Sequence, residues 1–185
     1  MRTTSLLVLC LLGSGLLPAK EKPPTTYTVP LPPPPDFSAL EWLVGDWAGK
    51  TLAPGPPGEV HLNVSIALEK RFMIFRQDVS LAATKTAPAS KESWMGILSA
   101  DRAASGFILR TFSSTGFLTR YRVTADGPRI NFHPEGGEQP PPGWLFRRIL
   151  QKSGPHEFTE TVQAAPPNKP FFDYYTVKLT RLTSP

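Results

Sequence analysis

Glu59-Val60-His61-Leu62-Asn63-Val64-Ser65-Ile66-Ala67-Leu68-Glu69 decides how the rest of the chain is read. Val60, Leu62, Val64, Ile66 and Leu68 take every second position, and Glu59, His61, Asn63, Ser65 and Glu69 fall between them. Side chains alternate across a strand, so this spacing makes one apolar face and one wetted face. A helix would scatter the same apolar groups around its axis. The stretch therefore predicts a strand with core on one side and water on the other, the habit of antiparallel sheets.

Working outward, Arg71–Leu81 predicts a second strand, joined to the first by a tight connection at Glu69-Lys70. Ala82–Ser90 reads as a loop. Further strands are expected at Glu92–Leu98, Phe107–Phe112, Phe117–Thr124, Arg129–Phe132, Trp144–Gln151, Glu157–Gln163 and Phe172–Leu182. Turn-forming residues separate them, among them those at His133–Gly143 and Ala164–Pro170. With Trp47–Leu52 at the start, the total is about ten. Many short strands joined in sequence predict an all-β, up-and-down antiparallel β-barrel. Before the first strand, Ser38 and Glu41 have capping-box spacing, and Phe37, Leu40 and Val44 share a helical face. Asp36–Val44 is accordingly expected to form a short N-terminal helix, stopped by Gly45.

The 185 residues are enough for one domain with a sizeable core, and 40% hydrophobic against 19% charged excludes a disordered chain. Proline is clustered, above all in residues 20–35, which read as an extended tether ahead of a barrel domain at 36–185. Residues 1–19 have the form of a signal peptide: Arg2, an apolar run from Leu6 to Leu12, and Ala19 as the last residue before cleavage. The run is too short to span a bilayer. These features predict an exported, periplasmic or secreted protein. Lipidation at Cys10 is disfavoured by the bulky Leu9 before it. Cys10 is the only cysteine, so no disulfide is expected. A net charge of +5 is too small and too scattered to indicate nucleic acid.

Leu40-Glu41-Trp42-Leu43-Val44-Gly45-Asp46-Trp47-Ala48-Gly49 carries a resemblance. A short helix followed by Gly-x-Trp on the first strand resembles the opening of lipocalin-like (calycin) barrels. The fuller spacing looks like the nitrobindin branch and its bacterial relatives of unknown function. The resemblance implies that Gly45 turns the chain into the first strand, that Trp47 plugs the closed end, and that an arginine from a late strand, here Arg181, lies over that ring. Haem-binding members of the branch ligate iron through a histidine near the C-terminus. This chain departs there, because residues 157–185 contain no histidine and the matching strand reads Phe171-Phe172-Asp173-Tyr174-Tyr175. No haem or other cofactor is carried over.

No chemistry-bearing motif emerges. His61, His133 and His156 lack metal-ligand spacing, and no nucleophile elbow or phosphate loop is present. No catalytic residue and no metal is assigned. Arginines inside predicted strands are more informative. Arg76 shares a face with Phe72 and Ile74, Arg110 with Ile108 and Phe112, and Arg120 and Arg122 with Leu118; Arg147 and Arg148 lie in a later strand. If that face is inward, Arg76, Arg110, Arg120 and Arg122 would line a greasy lumen suited to a small apolar or amphiphilic anionic ligand. Arg120-Tyr121-Arg122 also resembles the Arg and Tyr used inside fatty-acid-binding relatives of the barrel superfold, and that resemblance implies Tyr121 as a further ligand contact. If it is outward, the arginines snorkel over exterior apolar surface. Two other readings stand beside the non-catalytic binder. One is a solid barrel acting as a structural or protein-interaction module through its loops. The other is a barrel enzyme, for which Glu92 and Glu160 are the in-strand acids to watch.

Overall fold

The structure, a computed structural model, describes residues 27–183. The expected signal peptide and the first part of the tether lie outside the described residues. The chain divides into two units, residues 1–32 and 33–185. Of the first, the described residues 27–32 have no regular secondary structure.

The second unit is a closed antiparallel barrel of ten strands. In chain order they are β1 (Gly45–Leu52), β2 (Gly58–Ala67), β3 (Phe72–Leu81), β4 (Ser90–Ala100) and β5 (Phe107–Ser113), then β6 (Leu118–Asp126), β7 (Arg129–Gln139), β8 (Leu145–Gly154), β9 (Glu157–Ala165) and β10 (Phe172–Arg181). Each strand pairs with its neighbours in sequence, and β1 closes the ring on β10, with Trp47 opposite Arg181. Among the described residues no helix is long and apolar enough to cross a membrane.

Three expectations are corrected. The N-terminal helix is reduced to a single 3₁₀ turn, Glu41–Leu43. Its bonds run from Leu43 N–H to Leu40 O and from Val44 N–H to Glu41 O, three residues back. The buried residues are Phe37, Leu40 and Leu43, a spacing of three. That is the 3₁₀ period, and it differs from the 37, 40, 44 face of an α-helix. Asp36 Oδ1, rather than the Ser38 side chain, accepts the local backbone bond, from Ser38 N–H. The second correction concerns β7, which runs on to Gln139 where a loop was expected. Register shifts against β6 absorb Pro134 and the two glycines, and Gly136 takes φ +97° at the irregularity. His133 and Glu135 are therefore strand residues. Leu68, in turn, is not the last residue of the strand that opened this reading. It sits in the β2–β3 turn and is 70% exposed.

The alternation in β2 continues round the barrel. Val60, Leu62 and Val64 point inward with Met73 and Phe75 of β3, Leu109 of β5, Val123 of β6, Phe158 of β9, and Val177 and Leu179 of β10. One end is packed solid. Trp47 is 1% exposed, meets Phe158 edge-on at 4.8 Å between centroids, and donates its indole N–H to Leu43 O at 2.8 Å. The Arg181 guanidinium lies 4.2 Å from the Trp47 ring centroid, and its Nη2 donates to Trp42 O at 2.8 Å. Gly45 has φ +136°, and a Cβ there would come within 2.2 Å of Arg181 Nη1. Glycine is thus required by the backbone angle, and a side chain there would also displace the arginine seated against it. Gly45, Trp47 and Arg181 meet at this closed end.

Candidate functional site

Three polar side chains occupy inward positions that are otherwise apolar. Gln77 stands between Phe75 and Val79 on β3, Arg148 between Phe146 and Leu150 on β8, and Glu160 between Phe158 and Val162 on β9. Gln77 and Glu160 are the only buried polar residues among those described, at 1% and 2% exposure. Burial without partners would be costly, and these groups satisfy one another. Arg148 Nη1 donates to Glu160 Oε1 at 2.7 Å and to Gln77 Oε1 at 2.8 Å. Gln77 Nε2 donates to Glu160 Oε2 at 2.6 Å, and Trp94 Nε1 donates to Gln77 Oε1 at 2.6 Å. The guanidinium also lies 4.6 Å from the Trp94 ring centroid. Against this layer the residual void is about 10 Å³, no more than the room one water needs. The network therefore forms a floor across the barrel.

Above the floor the lumen opens into a cavity of about 170 Å³. Its wall carries the aromatic rings of Trp94, Phe117, Tyr121, Phe146, Tyr174 and Tyr175, with a band of serine and threonine hydroxyls between them. Arg148 forms part of the base, and Glu92 stands higher on the wall, accepting a hydrogen bond from Ser113 Oγ at 2.8 Å. Burial pushes the Tyr175 phenol well above its ordinary pKa, with Arg148 opposing the rise and Glu160 and Glu92 adding to it. Tyr121 is raised in the same way, by burial first, against the pull of Arg148. Both hydroxyls are neutral hydrogen-bonding groups at physiological pH. Burial alone would favour loss of the Arg148 proton. The Glu160 carboxylate, with Tyr175 and Tyr121 adding to it, outweighs burial and holds the guanidinium charged.

The strand arginines fall differently. Arg76, Arg110, Arg120 and Arg122 are all exposed on the outer face of β3, β5 and β6, so they do not line the lumen. Arg122 Nη2 is 2.6 Å from Glu135 Oε1, and Arg120 Nε is 3.4 Å from Glu135 Oε2, with the arginine side chains about half exposed. Arg110 lies directly opposite Arg120. Their face carries Ile108, Phe112 and Leu118, over which the long side chains extend. Tyr121, between Arg120 and Arg122, has the opposite parity and does face the cavity. Sequence reading left the arginines' face open, and of the five side chains it named for a lumen, Tyr121 alone lies inside. It missed Gln77, and it noted Arg148 and Glu160 without joining them. The signal was present: each is a polar residue with apolar residues two places before and after it, and two of them carry opposite charge.

None of the three histidines, His61, His133 and His156, lines the cavity. A cavity of this size also has no room for a macrocycle. The residues present do not fit a haem.

No family model and no curated protein matches the chain. The crystal structure of Rv2717c from M. tuberculosis is similar in fold, with a TM-score of 0.56 at 17% identity. The match covers 80% of this chain and 97% of that one. At that identity the likeness bears on the barrel fold alone.

Proposed function

We propose that this protein is a non-catalytic binder that takes a small, largely apolar or amphiphilic ligand into the open end of its barrel. The observation that carries the reading is the aromatic-walled cavity of about 170 Å³ above a sealed polar floor. A cavity of about 150 Å³ lined by apolar side chains is enough to admit benzene, so a single-ring ligand is the right scale. A few polar groups in an apolar wall are the usual makeup of such sites. The closed-end trio of Gly45, Trp47 and Arg181 supports a lipocalin-like, nitrobindin-like relationship for the barrel. Arg2 and the Leu6–Leu12 run support export to the periplasm or beyond.

The sign of the ligand's charge needs restating. An anionic head follows only if the arginines of β3, β5 and β6 face inward, and they are exposed on the outer face. The arginine that faces the lumen is Arg148, and Glu160 already neutralises it.

The test is native mass spectrometry of the full chain from its own source, followed by titration with benzyl alcohol read by NMR shifts of Trp94 and Tyr121. Near-stoichiometric co-purification of a small molecule, or saturable shifts confined to the cavity residues, supports the reading. An empty barrel whose cavity signals ignore the probe overturns it. A structural or protein-interaction role has its own observation in favour: Trp144, Phe172 and Tyr174 are 40%, 46% and 40% exposed. Exposed aromatics of this kind are enriched where proteins dock. A pull-down that depends on Trp144 and Phe172 would favour that role.

A further inference from the structure

We infer that the lumen selects a small organic cation, an aromatic or alkyl ammonium group, with Glu92 as the charge that recognises it. The inference rests on the proposed lumen binding and reverses the sign that the sequence suggested. Three charged side chains line the cavity or its floor: Arg148, Glu160 and Glu92. Arg148 and Glu160 are joined at 2.7 Å, and Gln77 ties up the second Glu160 oxygen at 2.6 Å. That pair is electrically closed. Glu92 remains: among the described residues it has no cation as hydrogen-bonding or ion-pair partner, and the neutral Ser113 hydroxyl alone donates to it, at 2.8 Å. The mouth of the lumen, where Glu92 is exposed, therefore carries one negative charge without a cationic partner.

The walls favour the same sign of ligand. Aromatic faces present negative potential to a bound cation, and the attraction grows where water is excluded. Phe117, Phe146, Tyr121, Tyr174 and Tyr175 surround the space that Glu92 overlooks. The Trp94 face is already taken by Arg148, which shows the same preference within the protein itself. An anionic guest would add a second unpaired negative charge beside Glu92 and would have to compete with Glu160 for Arg148. A neutral guest would use the apolar wall but leave Glu92 with its single hydroxyl donor. An ammonium ion brings donors for the carboxylate, and the cavity holds one ring to carry it.

The experiment compares three probes of one shape on the full chain at neutral pH: benzylammonium, benzyl alcohol and benzoate, each by calorimetry and NMR shift mapping. The expected order is benzylammonium tightest by tenfold or more, then benzyl alcohol, then benzoate. Glu92→Gln should collapse the difference between benzylammonium and benzyl alcohol to within about threefold, as a neutral hydrogen bond replaces a charge-assisted one. Glu92→Lys should reverse the order and favour benzoate. Circular dichroism of both variants confirms the fold, which a substitution at the solvated mouth should leave intact. If benzoate binds the native protein as tightly as benzylammonium, or if Glu92→Gln keeps the native preference, the cation inference is overturned while lumen binding stands. If no probe shifts the cavity residues, lumen binding itself fails and this inference falls with it.

Discussion

On β8, Arg148 stands between Phe146 and Leu150; on β5, Arg110 stands between Ile108 and Phe112. Both are guanidinium groups with large apolar residues two places away on either side. Arg148 faces the lumen, 14% exposed, held by a carboxylate, an amide and an indole face. Arg110 faces solvent opposite another arginine, Arg120. The difference lies in the other parity of each strand. On β5 the alternate positions, Phe107 and Leu109, are also apolar, and Leu109 is fully buried. Either face of β5 could have gone inward by local pattern alone. The barrel took the face whose members needed no polar partner. On β8 the inward face includes a charge, and that is tolerable because β9 and β3 supply Glu160 and Gln77 at hydrogen-bonding distance.

The comparison is sharpened most by removing the inner partner. Glu160→Ala leaves Arg148 charged and unpaired in the barrel and should cost about 3–5 kcal/mol of unfolding free energy, read by urea denaturation. Replacing both groups by apolar residues, Glu160→Leu with Arg148→Met, should recover most of that loss, because no buried charge is left without its partner. A double variant as unstable as the single one would show that the network positions the strands in some other way.

Next in size is a pH effect confined to the inner region. The unfolded chain ionises its phenols near pH 10, while Tyr121 and Tyr175 are held above that by burial. The folded state then keeps protons that the unfolded state has lost. This contribution is complete below pH 10, and stability should fall as pH rises beyond it. Spectrophotometric titration should find two of the four tyrosines silent until the protein unfolds, and Tyr175→Phe should flatten the alkaline slope. Normal titration of all four in the folded state would contradict the burial of these hydroxyls.

The outer region should respond weakly. Arg122→Ala removes an ion pair with Glu135 that is half exposed on the arginine side, and should cost less than about 1 kcal/mol, diminishing in high salt. Smallest of all, Arg110→Thr removes a like-charge cross-strand neighbour of Arg120 and should raise stability by a few tenths of a kcal/mol. A large loss from either change would mean that the outer arginines do more than cover Ile108 and its neighbours.

Much of the barrel was legible. Strict alternation in β2 and turn residues between short apolar runs specify the number and direction of strands, since both depend on neighbours a few residues away. The Gly45–Trp47 entry to β1 was equally local. What failed locally failed for a physical reason. Phe37, Leu40 and Leu43 had to seal the barrel within one turn of Gly45, and a 3₁₀ turn aligns residues three apart where the α-helical pattern would align 37 with 44. β7 looked like a loop because Pro134 and two glycines interrupt it. Irregular pairing with β6 carries the strand through them.

The sequence by itself determined the repeated antiparallel strands and the mixed face of each one, because side-chain parity is a property of the strand alone. It also held, unjoined, the three polar residues of the lumen floor. Only the tertiary structure decided which parity turned inward on β5 and β6, and which charge met which. Those outcomes depend on contacts between residues such as Gln77 and Glu160, 83 positions apart, which no local spacing encodes. The sign of the lumen's net charge follows from that pairing, and it is the pairing, not the number of arginines, that points to the ligand.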